Sequence, residues 1–479
     1  MKKLLSYVLI FISCLTLVGC NFKKDSKIPQ KLSKDLIEVE FWHAMGEQKQ
    51  ALIAKIIDNF EREYQSKGYN IRVTQKYFSS HNKIKDKIAF PTELGDIPTI
   101  AQTCSNYIPI YVASGKIMKL NAYTESKWGL GDEEAQFIDG FFAEGKTYDN
   151  VGTLYSLPFD RSTEVLYYNK TVFSKYGWAI PKTWDEVVKI SEEFKQTYDY
   201  YNLIQNGMPV SGFSYSLESN LFINFTRQWG GEYTSFSNLT NNGSQIGSGW
   251  ILFNNDKSKE AMEFFYDNYK AGNMATSTFF GSNNSSSAFR AGQCIMLLDS
   301  SANYNHNNAE FEVGVAPCPQ KDPSNPQVIQ QGTNLSLFKC KDPQEELAGW
   351  LFMKYLTNYE SSLIRIIGFE EYTNLEGELI ESSFGSEYLP TRKDVINSEE
   401  YQNYIKNEES WSLGKESAKA SLEQLDSLII NLSFDGSPIV YSEVGNLVQE
   451  LLYDNYEEKD FNKVIDELYK DTIFTIIYG

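Results

Sequence analysis

Strands and amphipathic helices alternate along the N-terminal part of the chain. The segment IEVEFWHAM, from Ile37, alternates apolar and polar residues, which is typical of a half-buried strand. Leu52, Ile56 and Phe60 recur at intervals of four residues, and this spacing predicts an amphipathic helix. A strand (YNIRVTQKYF), a helix (HNKIKDKIAF) and a short strand (IPTIAQT) follow. Such alternation predicts an α/β lobe with a largely parallel sheet.

Helical patterns dominate the remainder of the chain, with a few strands between them. In TWDEVVKISEEFKQTY, Glu186 follows Thr183 by three residues, which is the spacing of a capping box at a helix N-terminus. The segment AFRAGQCIMLLDSS predicts a helix that passes through Gly292 into a strand. NLTNNGSQIGSG and TSTFFGSNNSSS are rich in Asn, Ser and Gly and predict surface loops.

A polar cluster interrupts a strand-like segment, LYSLPFDRSTEVLYYNK, at 154–170. Pro158 precedes the five polar residues 160–164, and the apolar run VLYY follows them. The local pattern is compatible with a solvated turn between two strands, and equally with a polar surface that lines a ligand cleft.

Composition limits the classes of partner. The 479 residues, of which 42% are hydrophobic and 14% aromatic, suffice for two packed lobes. The formal net charge of −19 and the pI near 4.8 argue against nucleic acid or an anionic membrane surface as partner, because binding phosphates requires cationic side chains. Net charge does not fix the charge inside a pocket, so a small ligand of either sign stays open.

The N-terminus predicts export and a lipid anchor. MKK supplies a positive region, LLSYVLIFISCLTLV an apolar one, and LVGC places Cys20 behind Gly19. This pattern resembles the bacterial lipobox, whose cysteine is diacylated and becomes the mature N-terminus. The apolar run is short for a membrane span, which needs about 20 residues. We expect a signal peptide and lipobox at 1–20, a tether at 21–35 and a protein held on the extracellular face of the plasma membrane.

The sequence offers no pattern typical of catalytic or metal chemistry. Phosphate-binding, dinucleotide-binding, HExxH and EF-hand motifs are absent, and the three histidines, His43, His81 and His306, stand far apart. We therefore predict no metal, no cofactor and no enzymatic activity. The cysteines that follow Cys20 are widely spaced and do not indicate a disulfide framework, although one bridge, Cys294–Cys318, is left open.

Several motifs in order resemble those of the family-1 extracellular solute-binding proteins of bacterial ABC importers. They are EFWHAMGEQKQALIAKIIDNF, LPFDRSTEVLYYNKTVF, PKTWDE, FRAGQCIMLLDSS and EYLPTRKDV, and the similarity is greatest to the glycerol-3-phosphate and glycerophosphodiester group. The resemblance implies a two-lobed α/β fold of the type II periplasmic-binding-protein kind, with a cleft between lobes joined by crossing strands. It implies lobe 1 at 36–160 and 331–384, and lobe 2 at 161–330 and, with the C-terminal helices, 385–479.

The same resemblance implies a set of ligand-binding residues. The polar cluster becomes the first crossing between the lobes, Gly332 the second, and Tyr388 corresponds to a family tyrosine in EYLP. Phe213 and Tyr215 take the place of stacking tryptophans. The complete set implied for substrate binding is Tyr77, Ser80, Ser105, Ser162, Phe213, Tyr215, Ser300, Gly332 and Tyr388.

One departure from the family affects ligand choice. The phosphate-binding group carries an arginine before a proline near the C-terminus, whereas this chain has Ser433 in NLSFDGSPIV. Arg161 or Arg392 are the candidate replacements. Because a buried phosphate needs a cation, we expect a sugar or oligosaccharide to be favoured over glycerol-3-phosphate or a glycerophosphodiester.

The resemblance thus predicts a monomeric binding lipoprotein that delivers a small polar metabolite to the membrane permease of an ABC importer. An extracellular carbohydrate-active hydrolase is the alternative of another class, and it would need a placed acid and base. A surface adhesin is a third hypothesis, which leaves a cleft lined from both crossings unexplained.

Overall fold

A computed structural model describes residues 28–91, 97–239, 243–282, 284–386, 388–453 and 461–478. The predicted lipidation site, Cys20, lies outside these residues. Up to the first crossing the elements are β1 (Ile37–His43), α1 (Glu47–Ser66), β2 (Ile71–Tyr77), α2 (His81–Ala89), β3 (Ile100–Cys104), α3 (Ile108–Ala113), α4 (Asn121–Thr124) and α5 (Asp139–Glu144).

The middle of the chain begins with the longest strand. Its elements are β4 (Leu157–Asn169), α6 (Lys170–Tyr176), α7 (Trp184–Phe194), α8 (Tyr198–Gln205), β5 (Ser211–Tyr215), α9 (Glu218–Gln228), β6 (Thr234–Ser235), β7 (Ser244–Ile246), β8 (Gly249–Ile251), α10 (Asp256–Lys270), β9 (Met274–Thr276), α11 (Ser286–Arg290), β10 (Cys294–Ser300), α12 (Tyr304–Asn307) and β11 (Val313–Pro317).

The last part returns to the first lobe and then ends in helices. Its elements are β12 (Val328–Leu337), α13 (Pro343–Leu356), α14 (Tyr359–Ile367), β13 (Gly368–Phe369), β14 (Tyr372–Thr373), β15 (Leu379–Ile380), β16 (Ser383–Phe384), α15 (Lys393–Asn397), α16 (Glu399–Lys406), α17 (Leu413–Glu423), β17 (Leu428–Ile429), α18 (Ser437–Tyr453) and α19 (Phe461–Tyr478).

The first lobe is built on the strands β2, β1, β3 and the end of β12. β1 pairs in parallel with β2 and β3, as the alternating pattern predicts, and β12 closes this group antiparallel to β3. Leu52, Ile53, Ile56 and Phe60 of α1 are buried, because their spacing places them on one face of the helix. Ile53, Ile56 and Phe60 join a core that includes the buried helix α13.

The second lobe is built on β4, β10, β5 and β9, with β11 also paired to β4. β10 and β9 flank β5 in parallel, and β10 runs antiparallel to β4. Helices α7, α9, α10, α18 and α19 contribute to its core. The predicted capping box at Thr183 is confirmed: its hydroxyl accepts from the Glu186 amide, and the Glu186 carboxylate accepts from the Thr183 amide.

Two antiparallel strands, β4 and β12, connect the lobes. β12 pairs with β3 of the first lobe through Thr333–Leu337 and with β4 along Gln330–Leu335. All thirteen residues of β4 are buried, because each half of the strand is covered by a different lobe. The fold is therefore the two-lobed α/β architecture that the motifs predict, while the exact residue limits of the lobes stay a prediction.

Two smaller expectations meet the structure differently. The tether was predicted to run through residue 35, yet Leu32 is buried and the Ser33 amide donates to Gln344 Oε1 (2.8 Å), so 28–35 pack on the first lobe. Cys104, Cys294, Cys318 and Cys340 are free thiols, and the bridge that was left open does not form. None of the helices in the described part of the chain has the length and apolar character of a membrane span.

Candidate ligand-binding site

The polar cluster in β4 is buried, not a solvated turn. Asp160, Arg161, Ser162, Thr163 and Glu164 are each at most 5% exposed. Burying five polar side chains is costly unless each finds a hydrogen-bond partner. The successive side chains of the strand meet different partners in the two lobes, so this segment connects the polar groups of both.

Arg161 forms a buried ion pair with Glu144 of α5. Its guanidinium donates to both carboxylate oxygens, Nη1 to Oε2 at 2.7 Å and Nη2 to Oε1 at 3.0 Å. Glu144 also accepts from Ser105 (2.6 Å), Gln330 (3.0 Å) and Asn334 (2.9 Å). Burial opposes ionisation of Glu144, but the charge of Arg161 and these hydrogen bonds outweigh it and lower the pKa of the carboxyl. The cluster fastens α5, β4 and β12 together.

Asp160 points to a second group of charges. Arg365 of α14 donates to Asp160 Oδ1 at 2.8 Å and stacks over the Phe159 ring, 4.2 Å from its centroid. Lys49, in the first turn of α1, donates from Nζ to the Tyr388 hydroxyl at 2.6 Å. Leu389 forms a β-bridge with Arg161, which holds the segment containing Tyr388 against the crossing strand.

Ser162 and Ser300 are brought together where β4 enters the second lobe. Ser300 Oγ donates to Ser162 Oγ at 3.4 Å, and the Tyr167 hydroxyl donates to the Ser300 carbonyl at 3.0 Å. Ser300 is the last residue of β10 and is partly exposed. A pair of hydroxyls that can donate and accept is suited to a ligand with hydroxyl groups of its own.

The fold requires glycine at position 332 for a reason that the sequence did not reveal. The resemblance implies that the missing side chain of Gly332, at the second crossing, lets a ligand approach the backbone N–H. Its φ is +112°, and a Cβ would lie 2.1 Å from the Asp160 carbonyl oxygen and 2.8 Å from the Arg161 Cα. Glycine is required here because β12 approaches β4 so closely at an irregularity in their register.

Phe213 and Tyr215 do not reach the site in this structure. Both are fully buried in β5, a central strand of the second lobe whose five residues are all buried. The Phe213 ring packs edge-on against Trp184, with centroids 5.6 Å apart, and the Tyr215 hydroxyl donates to Glu164. A ring enclosed by core on both sides has no face for a ligand to stack on, so the structure contradicts the predicted platform.

Glu164 is the centre of a buried polar cluster in the second lobe. Besides Tyr215, Asn220 (2.8 Å) and Asn224 (2.5 Å) donate to its carboxylate. Asn224 also accepts from the Ile329 amide of β12 at 2.9 Å, so the cluster contacts both crossing strands. Burial raises the pKa of Glu164 to about 7, which the three donors only partly offset.

The remaining first-lobe candidates are dispersed. Tyr77 ends β2 and is exposed, and Ser80 caps α2 by accepting from the Lys83 amide at 3.3 Å. Ser105 is occupied by Glu144 and Asn334. Of the nine predicted residues, the structure therefore gathers Ser162, Ser300, Gly332 and Tyr388 around β4, and leaves the others in core, capping or neighbouring roles.

Neither candidate replacement for the phosphate arginine is free. Arg161 is 0% exposed and held by Glu144, as described above. Arg392 is 1% exposed and pairs with Asp394, at 2.9 and 2.6 Å, and with Glu133 at 2.7 Å. Ser433 is buried just ahead of α18. Carboxylates already neutralise both arginines, which counts against either of them as the replacement phosphate ligand.

The sequence did not identify three charged residues of this region: Lys49, Glu144 and Arg365. Lys49 stands among polar residues in the first turn of an amphipathic helix, a pattern that usually means a solvated face. Glu144 and Arg365 meet their partners only through tertiary packing. The one available signal was the Asp160–Arg161 pair itself, since adjacent opposite charges inside an apolar strand require partners elsewhere.

Comparison with known proteins identifies the family. The model of the bacterial extracellular solute-binding protein family matches residues 55–369, which is more than half of the chain. The chain belongs to this family. As a solute-binding protein, it is similar to the sn-glycerol-3-phosphate-binding periplasmic protein UgpB of Escherichia coli (strain K12) and to that of Shigella dysenteriae serotype 1, each 24% identical over 340 residues that cover 68% of this chain and 71% of the relative.

Solved structures show the same fold. UgpB from Mycobacterium tuberculosis in complex with glycerophosphocholine matches with a TM-score of 0.67 and 16% identity, covering 92% of this chain and 98% of that one. An ABC substrate-binding protein from Listeria monocytogenes in complex with cycloalternan matches with a TM-score of 0.66 and 18% identity, covering 92% and 99%. The family role is to bind a solute outside the cell for an ABC importer, and this chain shares it.

Proposed function

We propose that this solute-binding protein captures a small, hydroxyl-rich solute, with a sugar or oligosaccharide favoured over glycerol-3-phosphate. The observation that carries the proposal is the Ser162–Ser300 hydroxyl pair at the entry of β4 into the second lobe, where the neighbouring Arg161 is already paired with Glu144. Hydroxyls recognise hydroxyls without a charge, whereas phosphate needs a cation.

Glycerol phosphates are the second candidate. The curated relatives reported above are named for glycerol-3-phosphate, and one structural neighbour holds glycerophosphocholine. Others hold maltose or cycloalternan, which are carbohydrates. All these ligands are rich in hydroxyl or ether oxygens, and this shared chemistry supports the broader class.

A thermal-shift screen followed by calorimetry tests the proposal on the purified mature chain. A sugar or oligosaccharide is expected to raise the unfolding midpoint, because it binds the folded state only. Ser162→Ala with Tyr388→Ala is expected to weaken binding by about 1–3 kcal/mol for each buried polar partner lost. Sub-micromolar binding of glycerol-3-phosphate, with no response to any sugar, would overturn the choice of ligand.

We also propose how the protein is anchored and to what it delivers its solute. The protein is a monomeric lipoprotein anchored through Cys20, and it presents its solute to the permease. The support is the LVGC sequence behind an apolar run. Cys20→Ala is expected to release the protein from membranes. Membrane retention without an acyl chain on Cys20, measured by mass spectrometry, would contradict it.

We further propose that binding involves no covalent chemistry. The support is that the family whose model matches the chain is one of solute-binding proteins. Incubation of the protein with its solute should return the solute unchanged by mass spectrometry. Cleavage products, lost on mutation of a carboxylate near β4, would favour the hydrolase instead.

A further inference from the structure

The surroundings of Lys49 carry an inference about the charge of the ligand, which rests on the proposed function. Lys49 donates to the Tyr388 hydroxyl, and its ammonium also lies 3.8 Å from the centroid of the Tyr388 ring. Among the described residues, no carboxylate lies within 4 Å of this ammonium. A half-buried ammonium is usually paired with an anion, and here its neighbours are a neutral phenol and a ring.

The charges around Lys49 do not cancel. Burial lowers the pKa of Lys49, the Asp160 carboxylate acts against this shift, and the Arg365 guanidinium adds to it. Asp160 is itself taken by Arg365 at 2.8 Å. Among the described residues, two cations therefore share one carboxylate, and one positive charge has no counter-ion there. This excess stands out in a chain of net charge −19.

The other titratable groups near Lys49 do not change this charge balance. Burial lowers the pKa of His43 to about 4 and also lowers that of His81, so both rings are neutral at pH 7. Glu47 occupies the same helical turn as Lys49 but is exposed. Gly46, the N-cap of α1, offers no side-chain acceptor, so the first-turn amides add to the positive potential.

We infer that the Lys49 ammonium contacts an anionic group of the ligand, so the solute is a hydroxyl-rich molecule that carries a carboxylate or a phosphate. The Tyr388 hydroxyl, 2.6 Å from Nζ, and the Ser162–Ser300 pair then bind its hydroxyls. An acidic sugar fits both the hydroxyl pair and the unpaired cation. A phosphorylated polyol carries the same chemistry, and the experiment separates the two.

The structure provides a matched control on the same helix. Lys55, also in α1, has its ammonium 3.5 Å from the Tyr372 ring centroid, so it repeats the lysine–tyrosine contact of Lys49 away from the crossing strands. Lys55→Gln removes a lysine–aromatic contact and one positive charge, as Lys49→Gln does. Lys49→Arg keeps the charge.

Calorimetry with two pairs of probes tests the inference on the purified mature chain: glucuronate against glucose, and glycerol-3-phosphate against glycerol. At least one acidic member is expected to bind tenfold or more tightly than its neutral partner. Lys49→Gln should abolish that preference, while Lys49→Arg and Lys55→Gln retain most of it. Unfolding midpoints of all variants verify that they are folded.

The outcomes separate this inference from the proposed function. Glucuronate binding identifies an acidic sugar and supports both the inference and the proposed function. Glycerol-3-phosphate binding identifies a phosphorylated polyol, which supports the inference but overturns the choice of a sugar in the proposed function. Equal affinity within each pair, binding of neither acidic probe, or an unchanged preference in Lys49→Gln would each overturn the inference. Binding of maltotriose, a neutral sugar, without any preference for the acidic probes would overturn the inference but support the proposed function.

Discussion

At the scale of single residues, Glu164 couples the second lobe to pH. The folded protein keeps this carboxyl protonated up to about pH 7, whereas an unfolded chain releases the proton near pH 4.5. Between these values the folded state binds the extra proton, so its contribution to stability falls as pH rises. The span corresponds to a loss on the order of 3 kcal/mol.

Glu164→Gln should therefore remove this slope. The free energy of unfolding of the natural protein minus that of the variant is expected to decrease steadily from pH 4.5 to pH 7. The difference is the informative quantity, because His43, with its pKa lowered to about 4, contributes the opposite slope between pH 4 and 6.5. Urea unfolding at several pH values measures both proteins, and a constant difference would show that Glu164 does not titrate in this range.

The buried ion pair of Arg161 and Glu144 stabilises the contact between α5 and the crossing strands. Glu144→Gln leaves a guanidinium buried without a counter-charge, which should cost about 3–5 kcal/mol of stability. Arg161→Met should cost less, since Ser105, Gln330 and Asn334 still donate to Glu144. The double variant Arg161→Met, Glu144→Met should be more stable than the sum of single changes implies.

A double-mutant cycle by urea unfolding measures this coupling. The surface pair Lys170 and Glu312, whose side chains are 47% and 61% exposed, is the control and should show no more than about 1 kcal/mol. Additive effects at Arg161 and Glu144 would contradict the prediction. Loss of glycerol-3-phosphate binding in the folded double variant would restore Arg161 as a phosphate ligand.

At the scale of elements, the sequence predicts individual helices, strands and caps correctly, but it does not predict how each element is buried. The spacing of Leu52, Ile56 and Phe60 and the Thr183 capping box are properties of a few turns of chain, and both appear as expected. The resemblance implied that Phe213 and Tyr215 of SGFSYS offer ring faces to the ligand, but β5 is enclosed on both faces. Period-two patterns cannot distinguish a half-buried strand from a central one when both faces are apolar or paired.

The sequence predicts the candidate site only at the strands that cross between the lobes. Ser162, Gly332 and Tyr388 lie on or beside the crossing strands, and the motifs located these crossings. Arg161 was misjudged because its partner, Glu144, lies 17 residues away on another element. Lys49 was missed because its partner, Tyr388, lies 339 residues away. Pairing across such distances follows from tertiary packing, which a single sequence does not display.

At the scale of the whole molecule, two connecting strands allow the lobes to move against each other. We expect the bound solute to favour a closed arrangement, because the contacts proposed for it, Lys49 and the Ser162–Ser300 pair, come from both lobes. Small-angle scattering should therefore show a smaller radius of gyration when solute is added. The Ser162→Ala, Tyr388→Ala variant at the same solute concentration is the control. A confirmed solute that binds without compaction would count against this motion.

The late return of β12 to the first lobe also affects how the protein is made. β3 ends at Cys104, but the strand that covers its edge is Val328–Leu337. A chain emerging from an export channel N-terminus first therefore exposes an open sheet edge until more than two hundred further residues have followed. We expect nascent chains that stop before Val328 to aggregate or to be degraded, so secretion chaperones would be most needed in that interval.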